Sequence, residues 1–385
     1  MSIAVVVPRF EHPAIEERFA SWQTQLLLRS GRDHDKLVFY SIDEEAGAVA
    51  ADVEADHLLV VTDPLLLPSF DIGARLRDVL AASGAEAAVP VTNAATNPHQ
   101  QRNPPSMYTT LRELQVTFEA IEREPMSHET VTWDGSDPGI FLCDPTRLLD
   151  STVPLGRFLQ GRRVAVSRTD YVHRWASMRG QVRHDLLSRI PTDARSILEF
   201  GCGEATLGAE LKRRQKCRVV GIELDLAAAA IARKRIDEVY TGDVRELVEI
   251  IQDRFDSIIG GDIVEHLDDP WSFLTQLRQL AAPDAQLLLS LPNLANAGVV
   301  GDLLQGRFDY IYMGLTCAGH LRFFTRSSIE DMLAISGWTV ESITAQEAIV
   351  TPAQTGLMAA LERAGIAFSR EDLTAPGYYV VARNR

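Results

Sequence analysis

The 385-residue chain is short of cysteine, of basic charge and of long apolar runs, and each shortage excludes a class of protein. Its four cysteines (Cys143, Cys202, Cys217, Cys317) are scattered and never fall in Cys-x-x-Cys spacing. They read as reduced thiols, not as a disulfide scaffold or a zinc site. Lysine and arginine total 38 against 53 acidic residues, leaving a net charge of −15. A phosphate backbone wants a basic stripe, so nucleic acid is excluded as the main partner, and the acidity serves solubility. No apolar run approaches the ~20 residues of a membrane span. The start, MSIAVVVPRF, lacks the charged opening and longer apolar core of a signal peptide. The expectation is a cytoplasmic protein, meeting any membrane-bound substrate from the cytoplasmic side.

What is present is ordinary for a folded chain: 46% apolar and 24% charged residues, over a length comfortable for two domains. Residues 1–155 carry strand-like runs at Ile3–Val7, Leu37–Ile42, His57–Thr62, Ala87–Val91 and Ile140–Cys143 with helical patterns between, an α/β signature. The Asn-, Gln- and Pro-rich stretch Asn93–Pro105 reads as a loop. Residues 156–170 read as a connector, and a helix starting at Thr169 is expected to lead into a second domain, residues 171–385. Its strands are expected at Ser196–Phe200, Arg218–Ile222, Glu238–Tyr240, Ser257–Ile259 and Gln286–Leu291, then Trp338–Ile343 and Tyr378–Ala382. Helices are expected at Ser327–Ile335 and Pro352–Ala364.

The most informative segment is Ser196–Asp243. An apolar strand ends in Glu199, and Gly201-Cys202-Gly203 turns into a helix; the next strand ends in Glu223, followed by Leu224, and a third leads to Asp243. Gly201 and Gly203 let the chain turn sharply and let a ligand approach main chain. Glu223, about 20 residues on, can accept both ribose hydroxyls of an adenosine. A dinucleotide site would need a third glycine where Thr206 stands, and would put a pyrophosphate on the helix N-terminus. Glu199 and Glu204 flank that turn and would repel it. A sulfonium- and ammonium-bearing ligand fits better.

These residues, with TGDV, FDSIIGGDIVEHLDDP, LLLSLPN, GRFDYIYMGL and GHLRFFTRSSIEDML in order, resemble a class I S-adenosylmethionine-dependent methyltransferase. The group it looks like serves bacterial polysaccharide synthesis and is related to ubiquinone-pathway O-methyltransferases. The resemblance implies a Rossmann-like seven-stranded sheet ending in an antiparallel pair, beside an N-terminal α/β domain. It implies cofactor contacts from Glu199, Gly201, Cys202, Gly203, Glu223, Leu224, Asp243 (on the adenine amino group) and Asp262. This chain departs from the family at Ala205, usually glycine, and at Cys317-Ala318-Gly319, where an acidic residue often precedes the histidine. The N-terminal half is weakly similar to a GT-A glycosyltransferase domain. Only Asp63 remains of its Asp-x-Asp motif, so binding or assembly is expected of that half, with an unrelated α/β domain equally open.

In GGDIVEHLDDP a helical turn would set Asp262, Glu265 and His266 at i, i+3 and i+4 on one face. With His320 from a later loop they form a candidate metal site or proton relay. A similar set binds magnesium in small-RNA 2′-O-methyltransferases, so the resemblance implies that Mg²⁺ or Mn²⁺ fits this one. His266 and His320 are the candidate catalytic residues. The methyl donor is already electrophilic, so alignment and deprotonation of an acceptor hydroxyl are the remaining tasks. The acceptor is expected to be a sugar or glycan intermediate. The alternatives are a natural-product or quinone-type small molecule methylated on O or N, an RNA 2′-hydroxyl, or no reaction at all in a cofactor-binding assembly module. Tyr310 and Tyr312 are candidate acceptor walls, Arg322 a candidate anion partner, and Pro292-Asn293 a candidate pocket rim. Homo-oligomer formation stays open.

Overall fold

Apolar β-branched runs at regular intervals make strands here, and the glycine- and aspartate-rich joints between them make the turns. A computed structural model describes residues 2–8, 34–40, 44–51, 53–63, 66–69, 71–104, 110–149, 151–174, 181–311 and 313–385. Two separately packed units divide the chain, Met1–Ala176 and Ser177–Arg385. Among the described residues no helix is long and apolar enough to cross a membrane.

The first unit holds β1 (Ile3–Pro8), β2 (His34–Tyr40), β3 (His57–Val61), β4 (Leu66–Pro68), β5 (Ala87–Thr92), β6 (His128–Thr132), β7 (Ile140–Cys143) and β8 (Arg163–Arg174). They form one mixed sheet in the order β2-β1-β3-β7-β5-β8-β4, with β6 on β8. The helix Ile72–Ser83 covers it by burying Ile72, Leu76 and Val79, one turn apart, and Gly84 at φ 62° ends it. Those side chains meet Ile3, Val5, Leu59 and Leu142 in a core of their own.

One expectation is overturned here. Residues 163–174 are neither connector nor helix: they are the strand β8, buried at nearly every position. It pairs parallel to β5 along its length and antiparallel to β4 and β6. Val164, Val166 and Val172 favour a strand, and pairing with three strands at once outweighs the helical spacing of its polar residues. Trp133 is buried, with its indole N–H donated to the Ser136 carbonyl at 2.7 Å. Trp22, Trp175 and Tyr312 lie outside the described residues.

The second unit is a seven-stranded sheet in the order β11-β10-β9-β12-β13-β15-β14. Its strands are β9 (Ser196–Phe200), β10 (Arg218–Glu223), β11 (Glu238–Thr241), β12 (Phe255–Gly261), β13 (Ala281–Pro292), β14 (Thr339–Ala345) and β15 (Gly377–Arg383). The first five run parallel, and β15 is antiparallel to both β13 and β14. This is the α/β architecture expected, with the terminal antiparallel pair in place. The order reverses at β9, so the carboxyl ends of β9, β10 and β12 line one crevice, where open α/β sheets bind ligands.

Close packing of β9 on β12 fixes that crevice. A Cβ on Gly260 would fall 2.0 Å from the Phe200 ring, which in turn meets Phe273 edge-on at 5.3 Å. Gly260→Ala is expected to cost the unit about 1–3 kcal/mol of unfolding free energy through overpacking. Urea titration of wild type and variant measures this, and a loss below ~0.5 kcal/mol would mean the neighbours give way freely.

Candidate active site

Gly201 leaves β9 at φ 68° and Gly203 follows at φ 55°. A Cβ at Gly201 would collide with Ile263 at 2.3 Å, whereas one at Gly203 would meet nothing within 4 Å. The second glycine therefore presents bare main chain to open space. Ala205 also adopts a left-handed φ of 55°, just ahead of the helix Thr206–Arg214. The family's glycine would take this conformation freely, and alanine bears a cost of order 1–2 kcal/mol. Cys202 points the other way, its sulfur packed against Gly221, and burial pushes its thiol well above the ordinary range.

Glu223 accepts from Gly203 N at 2.6 Å and from Asp225 N at 2.9 Å. Both carboxylate oxygens thus stand at the tip of β10, oriented by main chain. Leu224 beside it is 45% exposed, an apolar surface free to cover a flat base. Asp243 caps the helix Val244–Ile250 through the Arg245 amide and is clasped by the Arg245 guanidinium at 2.9 Å. These contacts hold its carboxyl below the usual carboxylate range. Glu204 does not add bare negative charge as the sequence suggested. It is paired with Arg235 at 3.1 Å.

Glu199 is the unusual member. It is buried at the end of β9 and its Oε2 has no partner among the described residues. Burial raises its pKa to about 8; the Gly208 amide opposes this, Glu223 adds to it, and Arg183 weakly opposes it. A cation arriving here would be met by a carboxyl that has little else to bind.

Sequence reasoning missed Arg183. Its guanidinium reaches Asp262 at 2.7 Å, Asp185 at 2.8 Å and Ser290 at 3.3 Å. Nothing in its local pattern marks it, since it lies in an unassuming QVRHD stretch and gains its place only through the sheet. It ties the segment ahead of β9 to Asp262 after β12 and to Ser290 in β13.

The expected face of Asp262, Glu265 and His266 does not form as drawn. Asp262 sits at φ 55°, and a short 3₁₀ turn begins only at Val264. A helical phase therefore cannot run back to residue 262. Its two oxygens are taken by Arg183 and by the Ser290 hydroxyl at 2.8 Å. Glu265, His266 and His320 do converge, each offering a ligand atom within 4.8 Å of the others. The loop bearing His320 is stitched to the turn because Leu321 and Arg322 donate their amides to the Glu265 carbonyl at 2.8 and 3.0 Å. The two imidazoles meet edge-to-face at 4.9 Å.

Protonation within this trio follows from burial. His266 donates Nδ1–H to the Gly319 carbonyl at 3.0 Å, which leaves Nε2 with the lone pair. Burial holds its pKa below the ordinary histidine value, with Gly319 and Asp262 pulling the other way. Burial and the neighbouring His266 take His320 down to about 4, against the Leu315 carbonyl and Asp262. Glu265 is raised well above its usual value by burial and by Asp262. Glu265 Oε2 and His320 Nδ1 are buried without partners among the described residues. Two neutral imidazoles and an orphaned carboxyl are donors of the kind that hold a divalent cation, so the residues present fit one. Of the other expected residues, Tyr310 is 46% exposed, Arg322 donates to the Asp268 carbonyl, and Asn293 is buried against the carbonyls of Asp372 and Ala375 rather than lining a rim.

A glycine turn, an acidic tip on the following strand and this sheet order define the C-terminal unit as a class I S-adenosylmethionine-dependent methyltransferase domain. In agreement, the family described as "Methyltransferase domain" matches residues 171–343. A ubiquinone biosynthesis O-methyltransferase of Dinoroseobacter shibae is 29% identical over 145 residues, 36% of this chain and 57% of that protein. A Mycolicibacterium smegmatis protein named as a probable S-adenosylmethionine-dependent methyltransferase is 27% identical over 149 residues, 38% of this chain and 53% of its own length. The chain thus spans under two thirds of the curated relatives it matches. A solved methyltransferase from Archaeoglobus fulgidus overlays with a TM-score of 0.38 at 16% identity, covering 52% of this chain and 91% of the other.

Glu199 gives a pH prediction. Its folded pKa of about 8 exceeds the unperturbed 4.5, so folding takes up a proton between those values. The stability it contributes is fully present below pH 4.5 and is lost as pH rises through 8. Glu199→Gln is expected to flatten the decline by up to about 1.4 kcal/mol per pH unit between pH 5 and 8. Urea unfolding at pH 5, 6, 7 and 8 measures both slopes; parallel slopes would sink the assignment.

Proposed function

We propose that this protein transfers the methyl group of S-adenosylmethionine to a hydroxyl of a small, flat acceptor. The observation that carries the acceptor is a run of rings leading from the surface to the imidazoles. Tyr310 meets Phe308 at 5.3 Å, Phe308 meets Phe323 at 5.4 Å, and Phe323 meets His320 at 6.2 Å. Such a wall suits an aromatic or quinol ring, which it can stack or meet edge-on. The ubiquinone-pathway name of the curated relatives points the same way. The sugar or glycan acceptor gains no comparable support.

In this reading Glu223 holds the ribose hydroxyls, Asp243 the adenine amino group, and Glu199 the cofactor's cationic end. The crevice aligns the sulfonium methyl with the acceptor oxygen and excludes water. His266 Nε2, unprotonated at neutral pH, would take the hydroxyl proton as the methyl's C–S bond breaks and the new C–O bond forms, leaving S-adenosylhomocysteine. His320 and Glu265 hold that imidazole's surroundings. A divalent ion on Glu265, His266 and His320 would engage that same Nε2, so it would stand in place of the base and supply Lewis acidity that lowers the pKa of an acceptor hydroxyl.

For the N-terminal unit we propose a binding or assembly role. Asp63 at the end of β3 is paired with Arg174 at 2.5 Å, and Arg174 also reaches Asp137 at 3.4 Å. A carboxylate so engaged is poorly placed to anchor a metal–diphosphate, which argues against metal-dependent sugar transfer by this unit.

Release of S-adenosylhomocysteine against a panel of catechols, hydroquinones and nucleotide sugars tests the acceptor. Turnover is expected with the phenolic members. Turnover with nucleotide sugars alone would return the glycan reading. Replacing both His266 and His320 by alanine is expected to lower kcat on the order of 10²–10⁴-fold with cofactor affinity kept. An unchanged kcat would remove the histidines from the reaction.

A further inference from the structure

The lone pair on His266 Nε2 depends on where the ring proton sits, and one carbonyl decides that. His266 Nδ1 lies 3.0 Å from the Gly319 oxygen. A carbonyl can only accept, so Nδ1 carries the proton and Nε2 keeps the lone pair. The reaction proposed above needs this tautomer, because the reversed ring would present an N–H where a base or a ligand is wanted. Whatever aims the Gly319 oxygen therefore acts on the chemistry through the ring. Cys317 does so from both sides of Gly319. Its Sγ accepts the Gly319 amide at 3.5 Å, and its carbonyl accepts the His320 amide at 3.0 Å. The His320 N–H and the Gly319 C=O belong to one planar peptide unit, so holding the first fixes the direction of the second.

We propose that Cys317 is a positioning residue for His266: its sulfur and its carbonyl clamp the main chain around Gly319, whose oxygen sets the tautomer that leaves Nε2 unprotonated. The inference rests on the role given to His266 above. The thiol itself makes and breaks no bond. Cys317 can serve as the fixed point because it is buried and held in turn, its amide donating to the Gly314 carbonyl at 3.2 Å. The next residue is held as well, Ala318 donating to the Ile311 carbonyl at 2.8 Å. Farther along the same loop, Leu321 and Arg322 bond the Glu265 carbonyl, so the clamp and the ring it acts on share one frame. This run, Cys317-Ala318-Gly319, is where the chain departs from the acidic residue the family often places ahead of its histidine. A neutral sulfur accepts the amide without adding a second buried carboxylate to that of Glu265.

Two-bond ¹H–¹⁵N spectra of the full-length protein, labelled in its histidine rings, read the tautomer without any turnover. The chain has 9 histidines, so the His266 signals are assigned by their loss in His266→Ala. Wild type is expected to carry the proton on Nδ1. Cys317→Ala and Cys317→Val remove the acceptor, and each is expected to shift the tautomer ratio toward Nε2–H on the order of 2–5-fold, the low end for one hydrogen bond because sulfur accepts weakly. Cys317→Ser keeps an acceptor and is expected to keep the wild-type ratio. Circular dichroism melts check that each variant is folded, and either apolar substitution alone suffices for the comparison. With catechol as acceptor, kcat is expected to fall in step with the tautomer while KM for S-adenosylmethionine holds. A wild-type ratio in Cys317→Ala and Cys317→Val, or a Cys317→Ser ratio equal to theirs when theirs has shifted, would overturn the positioning role. A shifted tautomer with kcat unchanged would instead remove His266 as the base and leave the positioning intact.

Discussion

Among the described residues of the C-terminal unit two buried carboxyl groups, Glu199 and Glu265, each have an unpartnered oxygen, and the rest of the site is arranged around them. Removing a carboxylate from water is costly unless the charge is paired, so each stays protonated or waits for a cation. Their placement follows from the sheet. Glu199 ends β9 and Glu265 sits in the turn after β12, its hydrogen-bonded neighbour strand. The crevice between them is thereby biased toward positively charged ligands, although its rim carries arginines. A fold that holds two such groups at its ligand edge gives up stability there for affinity later.

The same constraint sets the character of the imidazoles. His266 and His320 share the low-dielectric space with Glu265, so both are neutral and the proton stays on the carboxyl. Neutral rings can accept a proton or bind a cation, whereas protonated ones could do neither. The chemistry thus comes from burial shared among three groups rather than from any one residue. Arginines hold the surrounding carboxylates in place: Arg235 is paired with Glu204, Arg245 fixes Asp243, and Arg183 keeps Asp262 occupied.

Much of the C-terminal unit was legible from sequence because its signals are local. Ser196–Phe200 is an apolar run closed by glycine, and the later strands were placed within a few residues because turn residues bracket them, except that β13 starts at Ala281 rather than at Gln286. The glycine turn and Glu223 could be read for the same reason. Asp262 was misread because one backbone angle decides its face, and sequence does not display φ. Arg183 was invisible because its partners, Asp262 and Ser290, lie 79 and 107 residues away. The helix expected from Thr169 failed for the opposite cause: local spacing was read where three strand neighbours decide the outcome.

β8 has a consequence for anyone dividing this protein. The match to the methyltransferase family begins at residue 171, but Tyr171–Arg174 are the last four residues of β8 and belong to the first unit's sheet. A gene fragment cut at residue 171 would carry away the stretch that pairs with β4 and part of β5. It would leave an unpaired apolar edge on one product and a dangling one on the other, both invitations to aggregate. Cutting between Ala176 and Ser177 keeps each sheet whole.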